Sequence, residues 1–276
     1  SVHRKNGVVD IVVADEAEAV SVAKRILACV QGPLTQWQAP EPDGLQALMP
    51  TNRRYAFDVR KILNLIFDQG SFIEMRPDMG RAIVSGLARV EGRAVAVLAS
   101  DCRHLGGAID GESALKATAL YQLAQRWQLP VVSFIDTPGF MVGPDSEAAG
   151  APRLMSDLFI AGATLTQPIV AVFLRRAYGL GAMAMTGGSF EVPRYAVSWP
   201  QGEFGAMGLE GAVQLGFKQE LAEAPDDAAR QALFDTLLAE MYAKGRATEA
   251  ASYLEIDAVI EPQDTRRVIA EALNQR

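Results

Sequence analysis

The feature that most restricts how this chain folds is a unit that occurs twice in succession: a continuous apolar strand, a glycine-bearing loop at its carboxyl end, then a helix. In the first unit PVVSFID (130–136) runs into Thr137-Pro138-Gly139-Phe140, and a helix is expected over about 151–165. In the second, PIVAVFL (168–174) runs into AYGLGAMAM and is followed by the strand-like RYAVSWP. Strands that are apolar at every position are buried on both faces, and helices between them carry the crossovers. A largely parallel α/β sheet covered on both sides follows, with ligands collecting at the loops beyond the strand ends.

Upstream, Val59, Ile62, Leu63 and Ile66 recur at spacings of three and four within 57–67, a helical period. Residues 83–90 and 93–100 read as two strands joined by Glu91-Gly92, and Ser113–Trp127 as a further helix. Near the start, Asp15 and Glu18 have capping-box spacing before an amphipathic helix that Gly32-Pro33 is expected to stop. Residues 33–50 hold four prolines in a polar, non-periodic stretch, which reads as a linker with a domain boundary near residue 45. The opening segment has little of its own to pack on, so the expectation is a piece of a longer protein.

Composition narrows the chemistry. The net charge of −7 argues against broad nucleic-acid binding, which needs a clustered positive surface. Two cysteines and two histidines, far apart, make neither a disulfide framework nor a metal centre, and a reducing cytoplasm fits best. The opening SVHRKNGVVDIVV lacks a signal-peptide layout, and no apolar run reaches the ~20 residues that span a bilayer. No membrane or metal partner is expected.

Each glycine loop has a plain and a chemical reading. Asp136-Thr137-Pro138-Gly139-Phe140 is either an ordinary strand-to-loop turn or one that aims main-chain N–H groups outward. Gly179-Leu180-Gly181, opening a helix of small residues, either permits a close helix–strand contact or presents free amides to a developing oxyanion. Arg175 and Arg176 pair with a phosphate or carboxylate ligand, or are simply solvated. Glycines 202, 205, 208 and 211 suit tight backbone packing beside a ligand channel. In that run Glu203 and Glu210 are the carboxylates, able to serve as acid or base if buried. Gly-x-Ser-x-Gly, the P-loop and the dinucleotide fingerprint do not occur.

Taken in order, DTPGF, a helix, RRAYGLGAMAM, GGSF, WPQGEFGAMGLEGAV and the closing YLEIDAVIEPQDTRR resemble the C-terminal half of the carboxyltransferase subunits of biotin-dependent acyl-CoA carboxylases. The resemblance runs from about residue 47 to the end. It implies a crotonase-type superhelix of ββα units, with residues 1–32 the tail of a preceding N-terminal half, 33–46 a linker and 47–276 the C-terminal domain. It further implies transfer of a carboxyl group from biotin, held on a separate carrier, to an acyl-CoA. The N-terminal half mainly holds the acyl-CoA, and this half receives carboxybiotin. By position, the amides of Leu180 and Gly181 become the oxyanion donors, with Gly179 permitting the turn; Gly139, Phe140 and Gly143 shape the biotin-side wall; Met183 tunes acyl-chain choice. The implied partners are the N-terminal half, a biotin carboxyl carrier domain and biotin carboxylase, in a homo-oligomer.

Two departures from the family pattern stand out. Gly179-Leu180-Gly181-Ala182 replaces a double glycine followed by alanine and tyrosine, and Pro152-Arg153-Leu154-Met155 replaces an Arg-His-Gly segment. The Leu-Gly form is more like the long single-chain acyl-CoA carboxylases. Running the transfer backwards, as a decarboxylase subunit, or serving only as an assembly and carrier-docking module, are the alternatives.

Overall fold

The computed structural model describes residues 2–41 and 44–274. Its frame is a mixed sheet of β1 (Ile73–Met75), β2 (Ile83–Val90), β3 (Arg93–Ser100), β4 (Val131–Thr137), β5 (Ile169–Tyr178), β6 (Tyr195–Ser198), β7 (Glu203–Gly205) and β8 (Ala258–Val259). The strand order is β1-β2-β3-β4-β5-β6-β8, and β7 pairs with the carboxyl end of β5. β1 with β2 and β2 with β3 pair antiparallel, whereas every pairing from β3 onward is parallel. The β2–β3 hairpin closes at Glu91 and Gly92, both at positive φ (51° and 77°), as a two-residue turn matched to strand twist requires.

The uninterrupted apolar strands are explained by burial on both faces. Ala96, Leu98, Val131, Ile135, Ala171 and Phe173 face one core, with the helices Gly111–Trp127, Ala151–Ala163 and Gly179–Met185. Their neighbours Val95, Val97, Val132, Phe134, Val170 and Val172 face a second core, with Val59–Ile66 and Thr265–Asn274. Val59, Ile62, Leu63 and Ile66 are the buried positions of their helix, the set that the three-and-four spacing predicts.

Other elements depart from expectation in informative ways. The second apolar strand continues four residues past Leu174, because its register slips against β4 between Ile135 and Thr137 and β7 takes up the extension. Two consecutive arginines there mask the strand in the sequence. Glu18 N donates to Asp15 at 2.8 Å, as the capping box requires, while the Glu18 carboxylate reaches back to the amide of Ala14. That helix ends at Ala28, before Gly32-Pro33.

The proline-rich stretch lies against the sheet edge: Leu34 N donates to Gly92 O, Gln69 N donates to Gln38 O, and Leu45 is buried. Pro42 and Asp43 of the expected linker, Ser1 of the expected tail and positions 275–276 of the expected C-terminal domain lie outside the described residues. Arg89, buried at the sheet edge, donates to the carbonyls of Ala28, Gly32 and Gly92 and so ties this stretch to the hairpin.

Lys116, 1% exposed, is a charged group inside the first core, with Nζ donating to the carbonyls of Met79 (3.1 Å) and Ile83 (2.7 Å). Burial pushes it down from 10.5 to about 8. The native value lies below the unfolded one, so the unfolded chain binds more protons across that window and stability rises with pH from about 8 toward 10.5. Lys116→Met is expected to remove this rise; urea unfolding of both proteins across the window checks it, and an unchanged slope in the variant refutes it.

Candidate active site

The carboxyl ends of β4 and β5 are joined by one buried ionic cluster. Asp136 is fully buried, and its carboxylate accepts from Arg175 Nε and Nη2 (3.1 and 2.7 Å) and from Arg176 Nε and Nη2 (2.8 and 3.0 Å). Burial pushes the carboxyl up, but the hydrogen bonds from Arg176 and Arg175 win and hold it below the usual carboxylate range. Arg175 is itself 4% exposed and also donates to the carbonyls of Arg53 and Tyr55. Arg176 donates to Gly106 O. Both arginines are therefore engaged by Asp136, toward which the register slip in β5 turns them, and both also line a polar cavity, Arg176 with its side chain 21% exposed.

Beyond this cluster the two glycine loops touch. A Cβ on Gly181 would lie 2.7 Å from the carbonyl carbon of Gly139 and 2.9 Å from the amide nitrogen of Phe140, so only glycine permits the approach. Gly139 has φ of 116°, and its carbonyl accepts from Ile109 N. Phe140 is half-buried, with its ring 6.1 Å from that of Phe159. Gly143, at φ 121°, stands further out, with nothing within 4 Å of where its Cβ would be. Among the expected wall residues, Gly139 and Phe140 meet the helix start and Gly143 faces open space.

Gly179 makes the turn into the helix at φ 57°, and a Cβ there would lie 2.7 Å from Ala206 O. In a helix starting at Gly179, the amides of Leu180 and Gly181 precede the first intrahelical acceptor. Neither donates to a loop, cap or side-chain acceptor among the described residues. Leu180 is 61% exposed, so this end of the helix faces outward. The plain reading of the loop, a close backbone contact that needs glycine for space, therefore holds, and Gly181 is itself buried in it.

Two cavities flank the turn. One, of about 230 Å³, is polar and includes Arg53, Cys102, Pro138, Tyr178, Glu203 and Tyr242. In it the Tyr178 hydroxyl donates to Glu203 at 2.9 Å, Arg53 lies 3.2 Å from the same carboxylate and 3.7 Å above the Tyr242 ring, and Tyr242 donates to Glu210. Both carboxylates are thus engaged by hydroxyl donors. The other cavity, of about 530 Å³, includes Met183, Phe190, Phe204, Ala206 and Tyr253. Phe190 and Phe204 line it and pack on the buried Phe173, with ring centroids 5.0 to 5.9 Å apart, and Glu191, Lys244, Glu249 and Glu255 line it as well.

Of the 202–211 glycines, a Cβ on Gly202 would meet Ser198 Oγ at 2.0 Å and one on Gly205 would meet Leu209 at 2.9 Å, but Gly208 and Gly211 sit in open space. The period of three therefore does not mark one packed edge. Arg53, Tyr178 and Tyr242 were not marked by any sequence pattern; only the fold gathers them. Asp136→Asn, which leaves two guanidinium groups without their counter-charge, is expected to cost about 3–5 kcal/mol. Denaturant unfolding measures this, and a loss below 1 kcal/mol would contradict the cluster's structural role.

The comparisons with known proteins bear on this geometry. Residues 1–276 match the family model described as the carboxyl transferase domain. Over 278 residues the chain is 36% identical to the biotin-dependent acetyl-/propionyl-coenzyme A carboxylase beta6 subunit of Mycobacterium tuberculosis strain H37Rv, covering 99% of this chain and 58% of that protein. It superposes on a single-chain, multi-domain long-chain acyl-CoA carboxylase with TM-score 0.90 and 49% identity, over 98% of this chain and 27% of that one. Transcarboxylase 12S, a hexamer whose structure holds methylmalonyl-coenzyme A, matches with TM-score 0.89 and 28% identity, over 99% of this chain and 54% of that one. The mixed-sheet α/β fold is that of the crotonase-type carboxyltransferases. A match to the family model from the first residue to the last, on a fold shared with solved members, places this chain in the carboxyl transferase domain family.

Proposed function

We propose that this chain supplies the biotin-side half of a composite site that transfers a carboxyl group from carboxybiotin to an acyl-CoA. The observation that carries the reading is the pair of amides, Leu180 and Gly181, at the start of a helix pressed against Gly139 and Phe140, neither donating to a loop, cap or side-chain acceptor among the described residues. Family membership supports the reaction class. The chain spans 58% of the length of the mycobacterial relative, in line with one half of a larger enzyme.

The residues fit a ureido group. Its carbonyl is a neutral acceptor that gains negative charge as the carboxyl group leaves, and two fixed amides stabilise that charge without reorganising. Carboxybiotin, when bound, supplies the activated carboxyl group. This chain contributes the donors, the glycine contact that fixes their direction, and the apolar Leu180, Phe140 and Gly143 surface that sheds water and forms the wall. Met183 lines a cavity beside Phe190 and Phe204, and its apolar side chain suits an alkyl acyl chain better than a charged one.

Residues 1–32 are assigned to the tail of the acyl-CoA half, 33–46 to the connection and 47–276 to this domain. No residue of the helix Glu16–Ala28 is fully buried; Ile26 packs against the first core and Arg25 donates to the carbonyls of Gly70 and Phe72. The remaining partners are a biotin carboxyl carrier domain and biotin carboxylase, within a homo-oligomer. No helix among the described residues is long and apolar enough to cross a membrane, and a cytoplasmic location is proposed.

Carboxylation assays with carboxybiotin, an acyl-CoA and the acyl-CoA half test the reading. Gly181→Pro deletes an amide and Gly181→Ala keeps it, while both add a Cβ. Transfer by the proline variant is expected to fall about 10²–10³-fold below that of the alanine variant; equal rates would remove Gly181 from the donor pair. Met183→Asp is expected to lower kcat/KM for a long-chain acyl-CoA roughly tenfold relative to propionyl-CoA, because it sets a charge against an apolar chain. An unaltered preference would detach Met183 from acyl selection.

A further inference from the structure

We infer that Tyr178 and Glu203 form a positioning pair that fixes the turn from which the Leu180 and Gly181 amides emerge. The inference rests on the proposed role of those amides and adds a determinant from outside the two glycine loops.

Tyr178 is the last residue of β5 and the residue before Gly179, so its side chain holds the strand end from which the turn departs. It is 3% exposed, and its hydroxyl donates to Glu203 Oε2 at 2.9 Å. Glu203 opens β7, whose register sets Glu203 beside Arg176 and Gly205 beside Tyr178. Three residues after Glu203, the Ala206 carbonyl occupies the space where a Cβ on Gly179 would be, at 2.7 Å. β7 and its extension therefore grip the turn at two points, the phenol ahead of Gly179 and the peptide behind it.

Glu203 is held in turn. Its second carboxylate oxygen lies 3.2 Å from Arg53 Nη1, and Arg53 stacks 3.7 Å above Tyr242, which donates to Glu210 on the next helix. Donors thus engage both carboxylate oxygens, and the role inferred for Glu203 is to orient the strand end. Burial, reinforced by Glu203, pushes the Tyr178 hydroxyl well above its ordinary range, so the phenol keeps its proton and the bond persists through neutral and mildly alkaline pH. An ordinary structural tyrosine would be equally buried; what sets this one apart is that the peptide it anchors is the start of the donor turn.

The experiment uses the enzyme containing both carboxyltransferase halves and compares Tyr178→Phe, Glu203→Ala, Glu203→Gln and the Phe/Ala double variant. Loosening the turn misaims donors without touching acyl-CoA contacts, so Tyr178→Phe and Glu203→Ala are each expected to lower kcat about tenfold with KM for acyl-CoA within about twofold. Glu203→Gln, whose amide oxygen still accepts from the phenol, retains activity within about threefold of wild type. The double variant loses no more than the larger single loss, because both substitutions break the same bond. Amide hydrogen exchange at Met183, Ala184 and Met185, whose amides are bonded back to the turn within the helix, speeds up in Tyr178→Phe and Glu203→Ala and not in Glu203→Gln, a readout that does not require turnover.

Unchanged kcat and unchanged exchange in the two single variants, or losses that multiply in the double variant, overturn the positioning role. The wild-type control separates this from failure of the proposed function: if wild type transfers no carboxyl group, that function falls, and the exchange comparison still decides whether the pair fixes the turn.

Discussion

The carboxylate of Asp136, sealed between two guanidinium groups, is the joint on which the ligand-facing edge of this fold depends. A buried charge is tolerated only when its lone pairs are fully met, and here two arginines and a main-chain amide meet them. Because Arg175 also grips the carbonyls of Arg53 and Tyr55, one ionic cluster sets the spacing of β4, β5 and the segment before the first buried helix. The loops that leave β4 and β5 start from that fixed spacing. Their approach at Gly139 and Gly181 is a consequence of it.

That approach is made by backbone alone. Removing two side chains lets backbone pack against backbone, with Leu180 exposed beside the contact. Helix termini leave donors unmet, and a capping side chain often satisfies them. Aspartates cap the helices at Glu16, Val59, Gly111 and Asp227, whereas those at Pro144, Ala151, Gly179, Leu209, Lys218 and Ala247 have no side-chain cap. An uncapped start leaves its amides to another acceptor, and the proposed function uses those of Leu180 and Gly181.

The architecture was legible in the sequence wherever one local rule acted alone. The β2–β3 hairpin, the burial of Val59, Ile62, Leu63 and Ile66 and the double apolar strands follow from period, turn chemistry and burial on two faces. The extension of β5 through Arg175 and Arg176 did not, because charged residues in a strand read as its end unless a buried counter-ion is known. The glycine period at 202–211 misled for a related reason: equal spacing in the chain says nothing of what stands opposite, and Gly208 and Gly211 have nothing opposite. The turn into the helix at Gly179 was readable because glycine and small residues at a strand end are a local signal. The Tyr178–Glu203–Arg53–Tyr242 network was not, since its members come from four separate segments.

By itself the sequence determined the α/β class and the placement of the strand–glycine–helix units, which rest on apolar pattern and spacing along the chain, while its motif blocks taken in order carried the family resemblance. Tertiary structure alone decided that Arg175 and Arg176 are spent on Asp136, that Glu203 holds a tyrosine, and that Gly181 lies against Gly139. The physical reason is that hydrogen bonds, ion pairs and van der Waals contact act over a few ångströms of space. Sequence distance fixes which atoms can meet only within a helix, a turn or a hairpin, and the site is built from partners tens of residues apart.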